Sequence, residues 1–301
     1  MLIVACLLAA IARSPAVPAA STHTIVAAGD IACDTAPGAF DIDKLFNGCK
    51  MADTAALVND VHPEAVLTLG DEQYPNGKLD QFLRSYQNSW GRFKAITHPA
   101  PGNHEYHDRD GAGYFAYFGN AAGEAGKGWY SYDIGTWHLV ALNSNCESIG
   151  GCERGSPQEQ WLRHDLAMHR AACVLAYWHQ PRFSSGGHHS DATFTPFWED
   201  LYAAHADLVL GGHDHDYERF APQSPRGAGD PNGIVQFVAG TGGKNHWILH
   251  WRVEPNSVAR VGGTFGILAL ELASDSYSWR FISLPNAVVD DRGSAQCHPK
   301  E

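Results

Sequence analysis

The amino-acid sequence predicts an α/β fold in which two β-sheets pack together and helices cover their outer faces. Two observations support this fold class. Short apolar runs alternate with helical patterns in the first half of the 301-residue chain, and the second half consists mostly of strand-like runs. Hydrophobic residues make up 44% of the chain, which is typical of a globular domain. This composition excludes disorder throughout the chain, a coiled coil and collagen.

Strands and helices can be placed from the hydrophobic pattern. Amphipathic segments predict helices over 51–61 and 78–90. A third helix begins after Ser156, because Ser156 can cap it, Pro157 suits its first turn and Glu159 completes a capping box. The apolar runs predict strands over 24–28, 65–69, 172–178, 208–210, 234–239, 266–272 and 277–282, with a hairpin formed by 129–133 and 137–143.

The first residues of the chain predict a secretory signal peptide over 1–20. Residues 2–12 are an uninterrupted apolar run, which is too short to span a bilayer at about 20 residues. Small residues and two prolines follow it, as in a cleavage region, although the usual preceding positive charge is missing. No later segment has the pattern of a membrane span. The mature protein is therefore expected to be secreted or extracytoplasmic.

Six cysteines remain once Cys6 leaves with the predicted leader, an even number that suits an oxidising compartment. Two pairs are close in sequence, Cys33 with Cys49 and Cys146 with Cys152. By elimination Cys173 would pair with Cys297. Because six cysteines allow many connectivities, this pairing stays one possibility among several. A buried free thiol at Cys173, which lies in an apolar run, is the alternative.

Charge and histidine content limit the class of partner. The chain has 21 Lys and Arg against 33 Asp and Glu, a formal net charge of −12. It has no basic run that could neutralise phosphates along a nucleic acid, so we expect no polymeric nucleic-acid partner. The 17 histidines point instead to metal or proton chemistry.

Five apolar runs are each followed by side chains that commonly bind metals. In open α/β sheets ligands bind beyond the carboxyl ends of the strands, so these positions are the natural place for a site. Four of the five carry glycine where a sharp turn or a close backbone approach is needed. Each motif alone is weak, but the set predicts a binuclear metal centre. The motifs are Gly29-Asp30, Gly70-Asp71-Glu72-Gln73-Tyr74, Gly102-Asn103-His104-Glu105, His179 after 174–178, and Gly212-His213-Asp214-His215.

This set of motifs resembles the calcineurin-like metallophosphoesterase superfamily. The tyrosine at position 74 makes the chain most similar to the purple acid phosphatase branch, in a bacterial secreted form. The resemblance extends from Asp30 to His215. It implies a four-layer α-β-β-α sandwich of two mixed sheets with flanking helices, and one catalytic domain over 21–301 after the leader.

The resemblance also implies two metal ions bridged by Asp71. Carboxylate and phenolate oxygens suit Fe³⁺, whereas an amide oxygen with two imidazoles suits Zn²⁺, Mn²⁺ or Fe²⁺. We therefore expect Fe³⁺ paired with one of these divalent ions. The implied ligands are Asp30, Asp71, Tyr74 and His215 for the first ion, and Asp71, Asn103, His179 and His213 for the second.

The implied activity is hydrolysis of small phosphate monoesters through attack by a metal-activated hydroxide. His104, beside the ligand Asn103, would stabilise the transition state and protonate the leaving alkoxide. Side chains downstream of His179 are candidates for binding the phosphate or the leaving group, or they belong to a solvated loop: Arg182, His188 and His189. Asp216 and Glu218 would orient the metal ligands.

Other functions remain open at this point. A phosphodiesterase or nucleotidase of the same superfamily fits the same motifs. The alternative from a different functional class is a non-catalytic secreted binding protein with this fold. Loss of a metal ligand from the motifs would favour that alternative, but every ligand is present. The string from His213 to Asp216 also occurs in metallo-β-lactamase-like hydrolases, but their pattern needs histidine where this chain has Glu218. No G-x-S-x-G motif supports a serine hydrolase. The sequence leaves the oligomeric state open.

Overall fold

The computed structural model of the protein describes residues 21–38, 48–247, 249–285, 287 and 290–299. The predicted leader, residues 1–20, lies outside these residues. Among the residues described, no helix is both long enough and apolar enough to cross a membrane.

Two mixed β-sheets pack face to face. The first has the strand order β13-β12-β11-β1-β2-β3, and the second β10-β8-β9-β7-β6-β5-β4. Strands β1, β2 and β3 run parallel, as do β5, β6, β7 and β9, while the remaining pairings are antiparallel. The strands are β1 (His23–Ala28), β2 (Ala65–Leu69), β3 (Thr97–Ala100), β4 (Tyr130–Ile134), β5 (Trp137–Ala141), β6 (Cys173–Tyr177), β7 (Leu208–Gly211), β8 (Tyr217–Phe220), β9 (Val235–Ala239), β10 (Ser257–Val261), β11 (Gly266–Leu272), β12 (Ser276–Ser283) and β13 (Arg292–Gln296).

Helices cover the outer faces of both sheets. On β1 the side chains of Ile25 and Ala27 face the second sheet, and those of Val26 and Ala28 face the helices. Both faces of the central strands are therefore buried, which is why they appear in the sequence as continuous apolar runs. The predicted α-β-β-α sandwich is confirmed. The helices are α1 (Met51–Val61), α2 (Leu79–Arg84), α3 (Ala112–Phe118), α4 (Cys146–Ile149), α5 (Pro157–Met168) and α6 (Thr195–Ala203).

The helix predicted over 78–90 is shorter than expected. It ends as α2 at Arg84, and two 3₁₀ segments, Tyr86–Asn88 and Trp90–Ile96, follow it. The backbone N–H of Tyr86 donates to the side-chain oxygen of Gln73 at 3.1 Å instead of to a helical carbonyl. A long-range contact therefore diverts the hydrogen bond that would continue the helix.

The start of α5 is close to the prediction. The Ser156 hydroxyl accepts from the backbone N–H of Glu159, while the Glu159 carboxylate accepts from the backbone N–H of Gly155 at 2.8 Å. The reciprocal half of the capping box thus reaches one residue further back than expected.

Three disulfides link the cysteines in the pairing obtained by elimination. Cys33 is bonded to Cys49, Cys146 to Cys152, and Cys173 to Cys297. The last bond joins β6, an interior strand of the second sheet, to the segment that follows β13 in the first. The alternative of a free thiol at Cys173 is wrong.

A buried histidine links β5 to its neighbours. Nδ1 of His138 lies 2.7 Å from an Asp133 carboxylate oxygen on β4, and Nε2 lies 2.8 Å from one of Asp165 on α5. Burial lowers the pKa of His138, but the bonds to Asp165 and Asp133 outweigh it and raise that pKa above its ordinary value. The imidazolium therefore ties α5 and β4 to β5.

We predict that His138→Gln lowers stability most at mildly acidic pH. A raised folded pKa stabilises the protein fully below the ordinary histidine pKa of about 6.5, and this contribution is lost as the pH rises through the folded pKa. The expected loss is about 2 kcal/mol near pH 5.5 and smaller near pH 9. Denaturant unfolding at both pH values measures it. The exposed His164, also on α5, supplies the control His164→Gln. An equal loss at both pH values would contradict the ion pairing.

Candidate metal centre

The turns after β1, β2, β3, β6 and β7 meet at one edge of the sandwich, and backbone bonds join them. The Asp30 N–H donates to the Gly70 carbonyl at 3.0 Å, and the Gly212 N–H donates to the His179 carbonyl at 2.9 Å. Asp30, Asp71 and His213 have positive φ angles of 60°, 50° and 70°. Non-glycine residues adopt this conformation at a cost, and it is concentrated at functional sites.

Two glycines allow these turns to approach one another. A Cβ added to Gly102 would lie 2.2 Å from an Asp71 carboxylate oxygen, and one added to Gly70 would lie 2.6 Å from the His179 ring. Gly70 also has a φ of +81°, which favours glycine. The glycines noted in the sequence therefore bring the predicted ligands into contact.

The first predicted ligand set converges on the phenol oxygen of Tyr74. This oxygen lies 2.7 Å from Oδ1 of Asp30, 2.9 Å from Oδ2 of Asp71 and 3.1 Å from Nε2 of His215. His215 and Asp30 are themselves 3.0 Å apart at these atoms. All four side chains are buried. Their polar atoms are therefore shielded from solvent and have one another as partners.

The second predicted set converges on Nε2 of His179. This atom lies 3.1 Å from Oδ1 of Asn103, 3.3 Å from Oδ2 of Asp71 and 3.1 Å from Nδ1 of His213. Oδ2 of Asp71 therefore belongs to both sets. Two imidazole nitrogens at this distance need a proton or a cation between them, because their lone pairs otherwise repel. The donor set fits a metal ion.

Hydrogen bonds on the far side of the rings favour ligation. Nδ1 of His179 lies 2.8 Å from the Leu69 carbonyl. Nδ1 therefore keeps its proton to donate to that carbonyl, and Nε2 is the nitrogen that can bind a metal. Nδ1 of His215 contacts Oδ1 of Asn245, with the same consequence for its Nε2. Partners of this kind fix the tautomer and orientation of a metal-binding histidine.

The electrostatics of the cluster favour a cation. Against the effect of burial, Asp71 raises the pKa of His179 to about 10, while His179 holds the pKa of Asp71 far below its usual range. Burial and the neighbouring His179 lower the pKa of His213 to about 3. Burial, Asp30 and Asp71 raise the pKa of the Tyr74 phenol well above 10. A phenolate at Tyr74 therefore requires a positive charge beside it.

Glu105 links the turns that carry Asp71 and Asn103. Its buried carboxylate accepts from the backbone N–H groups of Asp71 at 2.9 Å, Gln73 at 3.1 Å and Gly102 at 2.8 Å. Burial and Asp71 raise the pKa of Glu105 to about 7. The sequence placed Glu105 in a motif but gave it no role, since its three partners come from two separate turns.

His104 lies beside the ligand sets and is partly exposed. Its Nδ1 is 2.7 Å from the Pro75 carbonyl, and its Nε2 is 3.9 Å from Oδ2 of Asp71. Its ring centroid is 4.2 Å from that of Tyr74. His104 therefore faces the cluster without joining either ligand set.

The three candidate substrate-binding residues have different surroundings. The ring of His188 stacks on His213 with centroids 4.0 Å apart. His189 lies further out, 5.3 Å from the His250 ring. Arg182 lies over the Phe183 ring at 4.3 Å, and burial lowers the pKa of its guanidinium. The structure thus brings His188 directly to the predicted metal ligands.

The prediction that Asp216 and Glu218 orient the metal ligands is wrong. The Glu218 carboxylate accepts from the backbone N–H and the hydroxyl of Ser185, at 2.7 and 2.6 Å. Oδ1 of Asp216 has no hydrogen-bond partner among the described residues. The bonds that orient His179 and His215 come instead from Leu69 and Asn245. The strand direction explains this, because alternate residues after His215 point away from the cluster.

Two further residues beside the cluster carried no recognisable motif. The Trp247 ring stacks on the His215 ring with centroids 5.0 Å apart, and it packs at a tilt against the His188 ring with centroids 4.7 Å apart. The Lys244 ammonium lies 5.2 Å from the centroid of the Tyr74 ring. Both follow the Gly240-Thr241-Gly242-Gly243 turn after β9, and that turn was the one available sequence signal.

A family model described as calcineurin-like phosphoesterase matches residues 23–217, well over half of the chain and all of the motifs described above. The chain belongs to this family. Purple acid phosphatase 15 of Arabidopsis thaliana is 29% identical over 218 residues, which cover 60% of this chain and 40% of that protein. The chain thus spans less than half the length of this relative. The predicted resemblance to the metallophosphoesterases is confirmed.

Solved structures support the same fold. Purple acid phosphatase PPD1 from yellow lupin superposes with a TM-score of 0.73 at 19% identity, covering 92% of this chain and 54% of that one. GAP50, described as the anchor in the inner membrane complex of Plasmodium, superposes with a TM-score of 0.65 at 13% identity and covers 93% of this chain and 90% of that one. At these identities the likeness concerns the metallophosphoesterase fold alone.

Proposed function

We propose that the protein is a secreted phosphatase that hydrolyses phosphate monoesters at a binuclear metal centre. In this proposal residues 21–301 form one catalytic domain after the leader. The observation that carries it is the pair of ligand sets that share Oδ2 of Asp71. The three disulfides support folding in an oxidising compartment.

In this proposal the first ion is Fe³⁺, held by the carboxylate and phenol oxygens of Asp30, Asp71 and Tyr74 with the imidazole of His215. The second is Zn²⁺, Mn²⁺ or Fe²⁺, held by Asp71, Asn103, His179 and His213. This division follows the preference of a hard ion for charged oxygen and of borderline ions for imidazole. When bound, such a pair supplies Lewis acidity toward the phosphoryl oxygens and lowers the pKa of a water.

His104 is the proposed proton donor. Its Nδ1 faces the Pro75 carbonyl, so Nδ1–H donates there and the ring is held with Nε2 toward the cluster. A proton on Nε2 would pass to the alkoxide oxygen as the bond from that oxygen to phosphorus breaks. His188, stacked on His213, is proposed to contact the phosphate. His189 and Arg182 are proposed to act further out.

The first test is hydrolysis itself. We expect the purified protein to cleave 4-nitrophenyl phosphate faster than bis(4-nitrophenyl) phosphate, two esters with the same leaving group. A chelator should abolish both activities, and adding back metal should restore them. A faster diester reaction would favour the phosphodiesterase alternative. A folded, metal-loaded protein that cleaves neither ester would favour the non-catalytic binding protein.

We predict that His104→Ala lowers kcat by roughly 100-fold or more for an alkyl phosphate, while metal content stays unchanged. The loss should shrink for 4-nitrophenyl phosphate, whose leaving group needs no proton. His107→Ala is the matched control, because His107 lies 3.1 Å from the same Pro75 carbonyl but belongs to neither ligand set. An equal loss with both substrates, or loss of metal, would remove His104 from the role of acid.

A third prediction concerns Tyr74. A phenolate bound to Fe³⁺ gives a charge-transfer band in the visible, so protein reconstituted with iron should be coloured. Tyr74→Phe keeps the ring and removes the oxygen, and its colour should vanish while the fold survives. Visible absorption with parallel iron analysis measures this. A colourless wild type containing stoichiometric Fe³⁺ would show that Tyr74 is not a ligand.

A further inference from the structure

Residues 184–189, called here the substrate loop, wrap around the carboxylate of Asp214. The Ser184 hydroxyl donates to Oδ2 of Asp214, and the backbone N–H of His188 donates to Oδ1 at 2.8 Å. The Asp214 side chain is fully buried. A Cβ added to Gly186 would lie 2.2 Å from its carboxyl carbon, so the loop closes tightly over this group.

Asp214 lies between two predicted metal ligands, His213 and His215. Those two imidazoles face the cluster, and the Asp214 side chain between them faces the substrate loop instead. Glu218, four residues on, binds Ser185 of the same loop. One segment of chain therefore holds the metal ligands on one side and the substrate loop on the other.

The result of this attachment is a fixed position for the His188 ring. It lies nearly parallel to the His213 ring, with planes 21° apart, and the Trp247 ring packs against it as well. A serine- and glycine-rich loop has high conformational entropy when it is unattached. Hydrogen bonds to a carboxylate are stronger than those between neutral groups, so Asp214 is suited to suppress that freedom.

We infer that Asp214 is a positioning residue, whose carboxylate holds the substrate loop so that His188 meets a phosphate bound beside His213. The inference rests on the proposed phosphatase function and adds to it. Preorganising a binding group removes part of the entropy cost of binding. Asp214 therefore acts on phosphate affinity through His188, without contacting the phosphate or the metals.

The test compares four variants of the metal-loaded protein: Asp214→Asn, His188→Ala, the double variant, and Asp216→Asn. Calorimetry gives the Kd for inorganic phosphate, metal analysis gives occupancy, and kinetics give KM. Asp216→Asn is the control, since it removes a buried carboxylate from the same segment without a side-chain hydrogen bond to the loop. Ser184→Ala removes the hydroxyl partner of Asp214 and serves if Asp214→Asn does not fold.

We expect Asp214→Asn and His188→Ala each to raise the Kd for phosphate roughly tenfold, with metal content unchanged. The double variant should be no weaker than His188→Ala alone, because both changes remove the same contact. Asp216→Asn should bind phosphate like the wild type. Ser184→Ala should raise the Kd in the same direction, by a smaller factor.

Three results would overturn the inference. The first is a wild-type Kd for phosphate in Asp214→Asn or, if that variant does not fold, in Ser184→Ala. The second is a double variant in which the losses of affinity from Asp214→Asn and His188→Ala add. The third is loss of metal from Asp214→Asn. Failure of the proposed function would give a different result. A wild type that binds phosphate but hydrolyses no ester would contradict the phosphatase function, and the Kd values of the variants would still test the role of Asp214.

Discussion

The Asp71 carboxylate is the point on which the arrangement depends. Its Oδ2 faces Tyr74 on one side and His179 on the other, while Oδ1 accepts from the backbone N–H of His104 at 2.8 Å. Asp71 is thus in contact with both ligand sets and with the proposed proton donor. Its positive φ and the space left by Gly102 place it there. Removing this one group would separate the two halves of the centre.

The two-sheet sandwich provides the convergence. Strands β1 and β2 deliver Asp30 and Asp71 from the first sheet, and β6 and β7 deliver His179 and the segment of His213 from the second. Because both groups of strands are parallel and end at the same edge, five turns meet there. Side chains from distant parts of the chain therefore lie in contact with one another. The buried core between the sheets fixes their relative position, which suits donors that must be held within a few tenths of an ångström.

The sequence was sufficient to single out the candidate ligands that the structure brings together, because each follows an apolar run and most follow a glycine. It was also sufficient for α1 and β2, whose patterns are uninterrupted. It was insufficient for β13, an edge strand with alternating exposed polar residues, and for the end of α2, where Gln73 captures a backbone N–H. The contacts of Glu105, Asp214 and Trp247 are long-range, and no local pattern encodes them. One local feature of the sequence pointed to Asp214: it is an acidic residue between two candidate metal-binding histidines, so its side chain would face away from theirs.

The most direct measurement of the shared carboxylate is metal titration of the metal-free protein by calorimetry, with folding checked by circular dichroism. Wild type should bind two ions per chain. His215→Ala, which removes a ligand of the first set alone, should lose affinity for one ion and keep the other. Asp71→Ala should lose affinity for both. An Asp71→Ala protein that still binds one ion with wild-type affinity would contradict the bridging role and the binuclear centre built on it.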